Sequence, residues 1–232
     1  MIQKRKKKES RAPSMRGRPA SSQNLLPIEL LRPTLDRGIS IGKALQQRRT
    51  TREVGDKKLS LQALSNLLWA AYGVNRKKGP FGIPGRTAAS ASNSQEIDLY
   101  VAIQEGIYLY DAFHPRLVPV IAGDLRALAI AAGQANLAAK APVHLIYIAD
   151  VKKLSNTSGY QEPGLQDPEI QKSYYYVDTG LIAGNVYLYA ASQGLASWFH
   201  NCNKSGLTAK LKLRADQRVL FGQTVGYPAK RK

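Results

Sequence analysis

The chain has 232 residues, of which 44% are hydrophobic, and this is enough for one domain with a full core. A single cysteine, Cys202, excludes an internal disulfide and a thiolate metal cage and predicts a cytoplasmic protein. Every apolar stretch is shorter than the roughly 18–20 residues that a membrane span needs, so no span is expected.

The net charge of +18 is unevenly distributed along the chain. Residues 1–20 hold eight basic side chains and one acid, which places +7 on this segment and +11 on the remainder. The segment has little apolar area to bury, so we predict a basic, disordered tail and linker over 1–38 and a domain over 39–232. A domain this basic suits anionic ligands such as phosphates. A solvated tail that aids solubility is favoured, and the alternative is weak, salt-sensitive attachment to nucleic acid or anionic lipid.

The first half of the chain predicts two helices, a loop and a β-hairpin. Serine before an apolar-periodic segment is a common helix cap, and glycine commonly ends a helix. Glycine, proline and small residues favour a loop, whereas alternating polarity favours a strand. The expected elements are a helix from Ser40 to about Arg48, a helix from Ser60 to Gly73, a loop over 75–96, and strands at 97–103 and 106–110.

The second half predicts further helices and strands in alternation. Residues 143–149 are apolar on both faces, as expected of a central strand. The other expected elements are an extended piece at 117–120, a helix at 124–139, a polar loop at 152–170, helices at 174–193 and 207–213, and a strand at 219–225. Because no GxGxxG follows a first strand, a doubly wound dinucleotide fold is disfavoured, and we predict an α+β fold with a mixed sheet.

An arginine-rich segment, RRTTR at 48–52, follows the first predicted helix. Guanidinium groups bind phosphate through paired hydrogen bonds, and hydroxyls add short ones, so the segment suits an anion. The alternative is a solvated basic helix end, where arginines face the C-terminal dipole favourably.

A second segment, RTAASASNSQ at 86–95, combines small residues with polar ones. Small side chains let the backbone approach a flat ligand, and Ser90, Asn93 and Gln95 offer donors and acceptors to a heterocycle or polyol. The alternative is an ordinary polar loop. Two weaker segments, GLASWFHNCN at 194–203 and GYPAKRK at 226–232, identify no site by themselves.

The order of these motifs resembles the nitroreductase superfamily, and in particular its nitroreductase-like or SagB-type branch. The resemblance covers about residues 39–230. It is carried by RRTTR, LSNLLWAAYGVNR, RTAASASNSQEIDLYV, DTGLIAGNVYLYAASQGLAS and a closing VGYP. It implies a mixed sheet flanked by helices, an obligate homodimer, and one FMN in each of two sites at the subunit interface.

The resemblance also implies roles for individual residues. The positions of Arg48, Arg49, Thr50 and Arg52 match those that hold the FMN phosphate and ribityl chain, and the position of Arg52 also lies near the ring edge. Ser90, Asn93 and Gln95 match the loop that reaches the isoalloxazine ring from the partner subunit.

The resemblance is less regular toward the end of the chain. Asn201 and Cys202 match the place where backbone amides approach flavin N5, although many relatives have glycine at the first of these positions. Lys230 and Arg231 match a basic end that often reaches the phosphate. Gly184 stands where relatives often carry glutamine.

The resulting hypothesis is an FMN-dependent oxidoreductase that uses NADH or NADPH to reduce nitroaromatic or quinone-type electrophiles by a ping-pong mechanism. Arg52 is the candidate for stabilising negative charge on the reduced ring, and the cofactor itself carries the reaction. One alternative is an FMN-dependent dehydrogenase of azoline rings in modified peptides. The other is a non-catalytic, basic nucleic-acid-binding protein, which is disfavoured because the basic residues lack interleaved aromatics.

The remaining ionisable residues form no evident catalytic group. The three histidines lack zinc-like spacing, so no metal is expected, and a lining role is favoured over a proton-donor role for His200. Cys202 lacks the base that a nucleophile needs. Four acids make no convincing acid–base pair: Asp150, Asp167, Glu169 and Asp178.

Overall fold

The computed structural model describes residues 25–34 and 38–229. Most of the predicted basic tail, with Lys230 and Arg231 at the other end, lies outside the described residues. Within them, the chain forms a large sheet covered by helices, so the predicted α+β class is confirmed.

Nine strands are described, and seven of them form one sheet. In chain order they are β1 (Ile28–Glu29), β2 (Val74–Arg76), β3 (Gly85–Arg86), β4 (Ile97–Ile103), β5 (Gly106–Asp111), β6 (Arg116–Ala122), β7 (Val143–Asp150), β8 (Ala196–His200) and β9 (Gln217–Gly226). The large sheet has the order β1-β6-β5-β4-β7-β9-β8, and β2 pairs with β3 separately. The sequence predicted a mixed sheet, whereas every described pairing is antiparallel.

Six α-helices connect the strands in the described residues. They are α1 (Ile41–Gln47), α2 (Leu61–Tyr72), α3 (Ala135–Ala138), α4 (Val151–Ser155), α5 (Pro168–Ser192) and α6 (Lys204–Leu211). Ser40 and Ser60 cap α1 and α2 as predicted, because each hydroxyl accepts a hydrogen bond from the backbone N–H three residues later. None of these helices, the 25-residue α5 included, has both the length and the hydropathy for crossing a membrane.

Strand β7 lies in the interior of the sheet, between β4 and β9, and all eight of its residues are buried. Leu145 and Tyr147 face the core formed with α2 and α5, while Ile146 and Ile148 face a second core that includes Leu207 of α6. Because both faces are covered, the strand is apolar on both, as the sequence indicated.

The helix predicted at 124–139 is wrong. The segment forms short 3-10 turns at Arg126–Ala129 and Ala132–Gln134 before α3, and Ile130 between them is extended and fully buried. Ala131 N–H donates to the Asn201 carbonyl, and the Leu128 carbonyl accepts from Asn203 N–H. These contacts with the chain after β8 replace the hydrogen bonds of a continuous helix, so tertiary structure overrides the helix propensity of alanine.

Other segments also differ from the sequence expectations. The polar loop predicted at 152–170 contains most of α4 and the start of α5, and the loop predicted at 75–96 contains β3 and most of β2. Strand β8 occupies part of a segment that was treated only as a motif. Strand β1, in the predicted linker, pairs with β6, and Leu31 N–H donates to Ser65 Oγ over 2.9 Å. The chain therefore already packs against the rest of the domain before residue 39. The predicted boundary between tail and domain at residue 39 stays a prediction.

Candidate functional site

The RRTTR segment lines an open cleft of about 980 Å³ between the end of α1, the last turns of α5 and the start of β8. Its other walls include Tyr187, Leu195, Ser197 and Pro228. This volume lies within the range of about 300–1,000 Å³ that is usual for small-molecule sites.

Two backbone hydrogen bonds fix the segment. Arg48 N–H ends α1 by donating to the Ala44 carbonyl over 2.8 Å, and Thr51 N–H donates to the Ser197 carbonyl over 2.9 Å. The segment therefore leaves the helix and lies against β8.

Arg48, Arg49 and Arg52 are all exposed, and within the described residues none of them forms an ion pair. Three guanidinium groups in five residues repel one another unless an anion lies between them. The predicted convergence of these cations on one cleft is thus present, with Thr50 beside them.

Tyr187 connects the three elements of the cleft. Its hydroxyl accepts a hydrogen bond from Phe199 N–H over 2.9 Å and lies 3.1 Å from Thr50 Oγ1. The guanidinium of Arg48 lies 5.5 Å from the centre of the Tyr187 ring. No sequence motif marked Tyr187, and its only signal was its place in the long helix that precedes the motif GLAS.

Arg52 has a different neighbour. Its guanidinium lies 6.0 Å from the ring centre of Trp198, which is buried on β8, and Trp198 packs against His200 with ring centres 4.4 Å apart. An exposed cation over the face of an aromatic ring gains about 0.5–1 kcal/mol, which is enough to bias the Arg52 side chain toward the strand.

The polar loop at 90–95 does not line this cleft. Gln95 Nε2 donates to the Pro84 carbonyl over 2.7 Å and to Asn93 Oδ1 over 3.0 Å, and Gln95 N–H donates to Ser90 Oγ over 3.0 Å. Arg86 Nε donates to Gln95 Oε1 over 2.5 Å. These bonds hold Asn93 and Gln95 in the left-handed region, at φ values of 55° and 51°. In one chain, the loop and the RRTTR segment are therefore separate.

Asn201 and Cys202 follow β8 and also lie outside the lining of the cleft. Cys202 N–H donates to Asn201 Oδ1 over 3.0 Å, so this amide already has an acceptor. Burial raises the pKa of the Cys202 thiol to about 11, so the thiol is protonated and unsuited to nucleophilic attack at neutral pH.

A buried chain of hydrogen bonds connects His144, Thr224 and His200. His200 Nδ1 lies 2.8 Å from the Asn201 carbonyl and therefore donates, so His200 Nε2 accepts from Thr224 Oγ1 over 2.8 Å. Thr224 Oγ1 in turn accepts from His144 Nδ1 over 2.9 Å. Burial lowers the pKa of both imidazoles, to about 3 for His144, so they are neutral at pH 7. This arrangement favours a structural role for His200.

Comparisons with known proteins agree with the architecture. The model of the Nitroreductase family matches residues 45–227. A protein of Methanocaldococcus jannaschii assigned as a nitroreductase is 30% identical over 177 residues, which are 73% of this chain and 82% of the relative. A solved structure of a Ralstonia eutropha protein, also assigned as a nitroreductase, has 31% identity and a TM-score of 0.75, over 91% of this chain and 93% of that chain.

A chain of the Escherichia coli microcin synthetase complex is more distant. It has a TM-score of 0.62 and 18% identity, over 90% of this chain and 80% of that chain, and this likeness shows the fold alone. The family match spans most of the residues that carry the sequence motifs, and it does not agree with a non-catalytic nucleic-acid-binding protein. The chain therefore belongs to the nitroreductase family, and it is an oxidoreductase.

Proposed function

We propose that the protein is an FMN-dependent oxidoreductase that takes electrons from NADH or NADPH and reduces nitroaromatic or quinone-type electrophiles. The observation that carries the proposal is the cleft lined by Arg48, Arg49, Thr50 and Arg52, whose guanidinium groups have no carboxylate partner in the described residues. No specific nucleic acid is needed as a partner.

The donor set fits FMN. Arg48, Arg49 and the Thr50 hydroxyl are suited to a phosphate, because guanidinium pairs and hydroxyls satisfy its oxygens. Arg52, 6.0 Å from the Trp198 ring, places a positive charge on the β8 side of the cleft, where it would stabilise negative charge on a reduced ring. FMN, when bound, supplies the redox chemistry, taking two electrons from the nicotinamide and giving them to the electrophile. The protein's own residues bind, orient and exclude side reactions.

A homodimer would complete the site. The loop with Ser90, Asn93 and Gln95 does not meet the RRTTR cleft in one chain, so we propose that it meets the cleft of a second copy. Helix α5 supports this, since Val177 and Leu181 are 60% and 44% exposed on one side of it. A stripe of this kind on a monomer would leave a large apolar area in water.

Two further features of α5 and α1 agree with a helix-mediated dimer. A Cβ atom on Gly180 or Gly184 would meet no atom within 4 Å, so another backbone can approach α5 closely at these positions. On α1, Ile41 and Leu45 are 65% and 59% exposed. Together these residues offer an apolar face to a second subunit.

The proposal is tested by purifying the full chain and recording its absorbance spectrum. We expect flavin bands, release of FMN rather than FAD on denaturation, and quinone-dependent oxidation of NADH or NADPH. Arg49→Ala should weaken FMN binding, whereas Arg32→Ala, an exposed arginine outside the cleft, should not. A colourless protein that FMN cannot reconstitute would contradict the proposal.

The alternative of an azoline dehydrogenase uses the same cofactor in the oxidising direction. Its support is the fold shared with a microcin synthetase chain, at 18% identity. It is distinguished by assaying an azoline-containing peptide, with oxygen as electron acceptor, beside the quinone assay.

A further inference from the structure

Two buried carboxyl groups lie behind the loop at 90–95. Glu96 is the residue between this loop and β4, and Asp178 is in the middle of α5. Their relative exposures are 0% and 3%. Each carboxyl contacts the same short loop, Asp178 at Ala91 and Glu96 at Ser94, and besides burial the charge of Asp178 acts on Glu96 by raising its pKa. Two ionised carboxylates buried side by side, away from water, would repel each other strongly.

The surrounding donors leave one carboxylate oxygen of the pair without a hydrogen bond. Ser94 Oγ donates to Glu96 Oε2 over 2.6 Å, and Ala91 N–H donates to Asp178 Oδ2 over 2.9 Å. Within the described residues, Glu96 Oε1 receives no hydrogen bond. A proton on Glu96 Oε1 would both satisfy this atom and remove the repulsion, by donating to the Asp178 carboxylate.

We infer that Glu96 and Asp178 share one proton and that this proton holds the loop at 90–95 against α5 in its binding conformation. The inference rests on the proposed function in one respect, namely that Ser90, Asn93 and Gln95 contact FMN across the dimer interface. It makes Glu96 and Asp178 positioning residues. They act through the loop, because Asp178 bonds the Ala91 backbone and Glu96 bonds the Ser94 side chain.

The electrostatics of the pair agree with the geometry. Burial, and then the negative charge of Asp178, raise the pKa of Glu96 to about 8. Burial also raises the pKa of Asp178, while Ala91 N–H and Glu96 favour its ionised form. A carboxyl whose pKa is raised on folding stabilises the protein most at low pH, and this contribution is lost as the pH rises through about 8.

The other titratable groups near the pair do not change their charge in the pH range in which Glu96 titrates. Tyr72 of α2 and Tyr160 face the two carboxyls, and burial raises the pKa of both phenols, to about 12 for Tyr160, so they stay neutral when Glu96 titrates. Arg86 is committed to Gln95 and to the Tyr72 carbonyl, at 2.5 and 2.9 Å. Glu96 is thus the group whose ionisation changes the charge beneath the loop.

The test compares FMN affinity across pH in the wild type, Glu96→Gln and Glu105→Gln. Wild-type affinity should fall by up to about tenfold per pH unit above the pKa of Glu96, since the binding conformation loses its proton. Glu96→Gln should remove this slope, because its amide donates to Asp178 at every pH. Glu105→Gln, a surface carboxyl paired with Lys58, should keep the wild-type slope.

A second measurement does not depend on the flavin. Hydrogen exchange of the amides at 90–95 is compared between wild type and Glu96→Gln at the same pH, so that intrinsic exchange rates cancel. We expect equal protection at about pH 6 and at least about tenfold less in the wild type at about pH 9.5, below and above the titration of Glu96. Should Glu96→Gln fail to fold, Asp178→Asn takes its place, because its amide donates to an ionised Glu96.

Identical pH dependence of loop protection in the wild type and the amide variant would overturn the inference, as would a wild-type loop whose protection does not change with pH. Failure to bind FMN at any pH would instead count against the proposed function. The exchange measurement would still decide the role of the shared proton.

Discussion

At the level of single residues, Arg48 and Arg52 are the same side chain in two different surroundings. Arg48 ends α1 and lies 5.5 Å from the Tyr187 ring, whereas Arg52 lies 6.0 Å from Trp198 on β8. The first position is suited to a phosphate and the second to a ring. The two arginines should therefore differ in what their removal changes.

We predict that Arg48→Ala and Arg52→Ala both weaken FMN binding, but that only Arg52→Ala lowers the midpoint potential of the bound flavin. Each loses a charge-assisted hydrogen bond of about 1.5–3 kcal/mol, or roughly ten- to a hundredfold in affinity. A positive charge beside the ring favours the reduced, anionic form, whereas a phosphate contact is remote from it. Affinity and potential are measured on the same preparations.

Arg52→Lys is the matched control, because it keeps the charge and loses the planar donor pair. It should retain more affinity and more of the potential than Arg52→Ala. Equal shifts of potential for Arg48→Ala and Arg52→Ala would show that the ring and phosphate assignments are wrong.

The placement of individual residues was predictable from the sequence only where it depends on neighbours in the chain. The three arginines lie within five residues after a helix, so their convergence follows from local structure. Tyr187 contacts Thr50 across 137 positions, and Glu96 meets Asp178 of α5, so no local pattern marks either contact. Tyr187 and the partner of Asp178 were accordingly not predicted from the sequence.

At the level of secondary-structure elements, caps and strand alternation were reliable guides. Ser40, Ser60 and Gly73 bound the first two helices, and the hairpin of β4 and β5 forms as expected, because these signals are local. The helix predicted over 124–139 is wrong because the segment forms hydrogen bonds with the chain after β8. The sheet order also depends on pairing between distant strands, which single-sequence patterns do not contain.

The exposed side of α5 gives a prediction about assembly. Val177→Asp should convert the proposed dimer to monomer and abolish FMN retention, because an unpaired charge would be buried in an apolar contact. We expect the dimer dissociation constant to rise by at least about a hundredfold, measured by sedimentation at several concentrations.

Val120→Asp is the control for this change. Val120 is 41% exposed on β6, away from α5, and it receives the same substitution. It should leave the dimer and the flavin in place. A flavin-loaded wild-type monomer at micromolar concentration would contradict the assembly proposed here.

At the level of the whole molecule, the charge is divided between the tail and the body. Residues 1–20 carry +7 of the total +18 but none of the motifs that resemble the family. We predict that deleting residues 1–20 leaves FMN affinity and turnover unchanged at moderate salt. Loss of FMN from the truncated protein would place the tail in the site and move the domain boundary.

The position of β9 has a consequence for synthesis. This strand follows every other described strand in sequence, yet it lies between β7 and β8. While residues 151–216 are being translated, β7 has one unpaired edge, and β8 has no neighbour on which to form. Unpaired apolar edges recruit other chains, and long-range pairing is slow, so this is the stage at which aggregation competes with folding. At this stage β7, whose residues are all buried in the folded protein, is hydrogen-bonded along only one of its two edges.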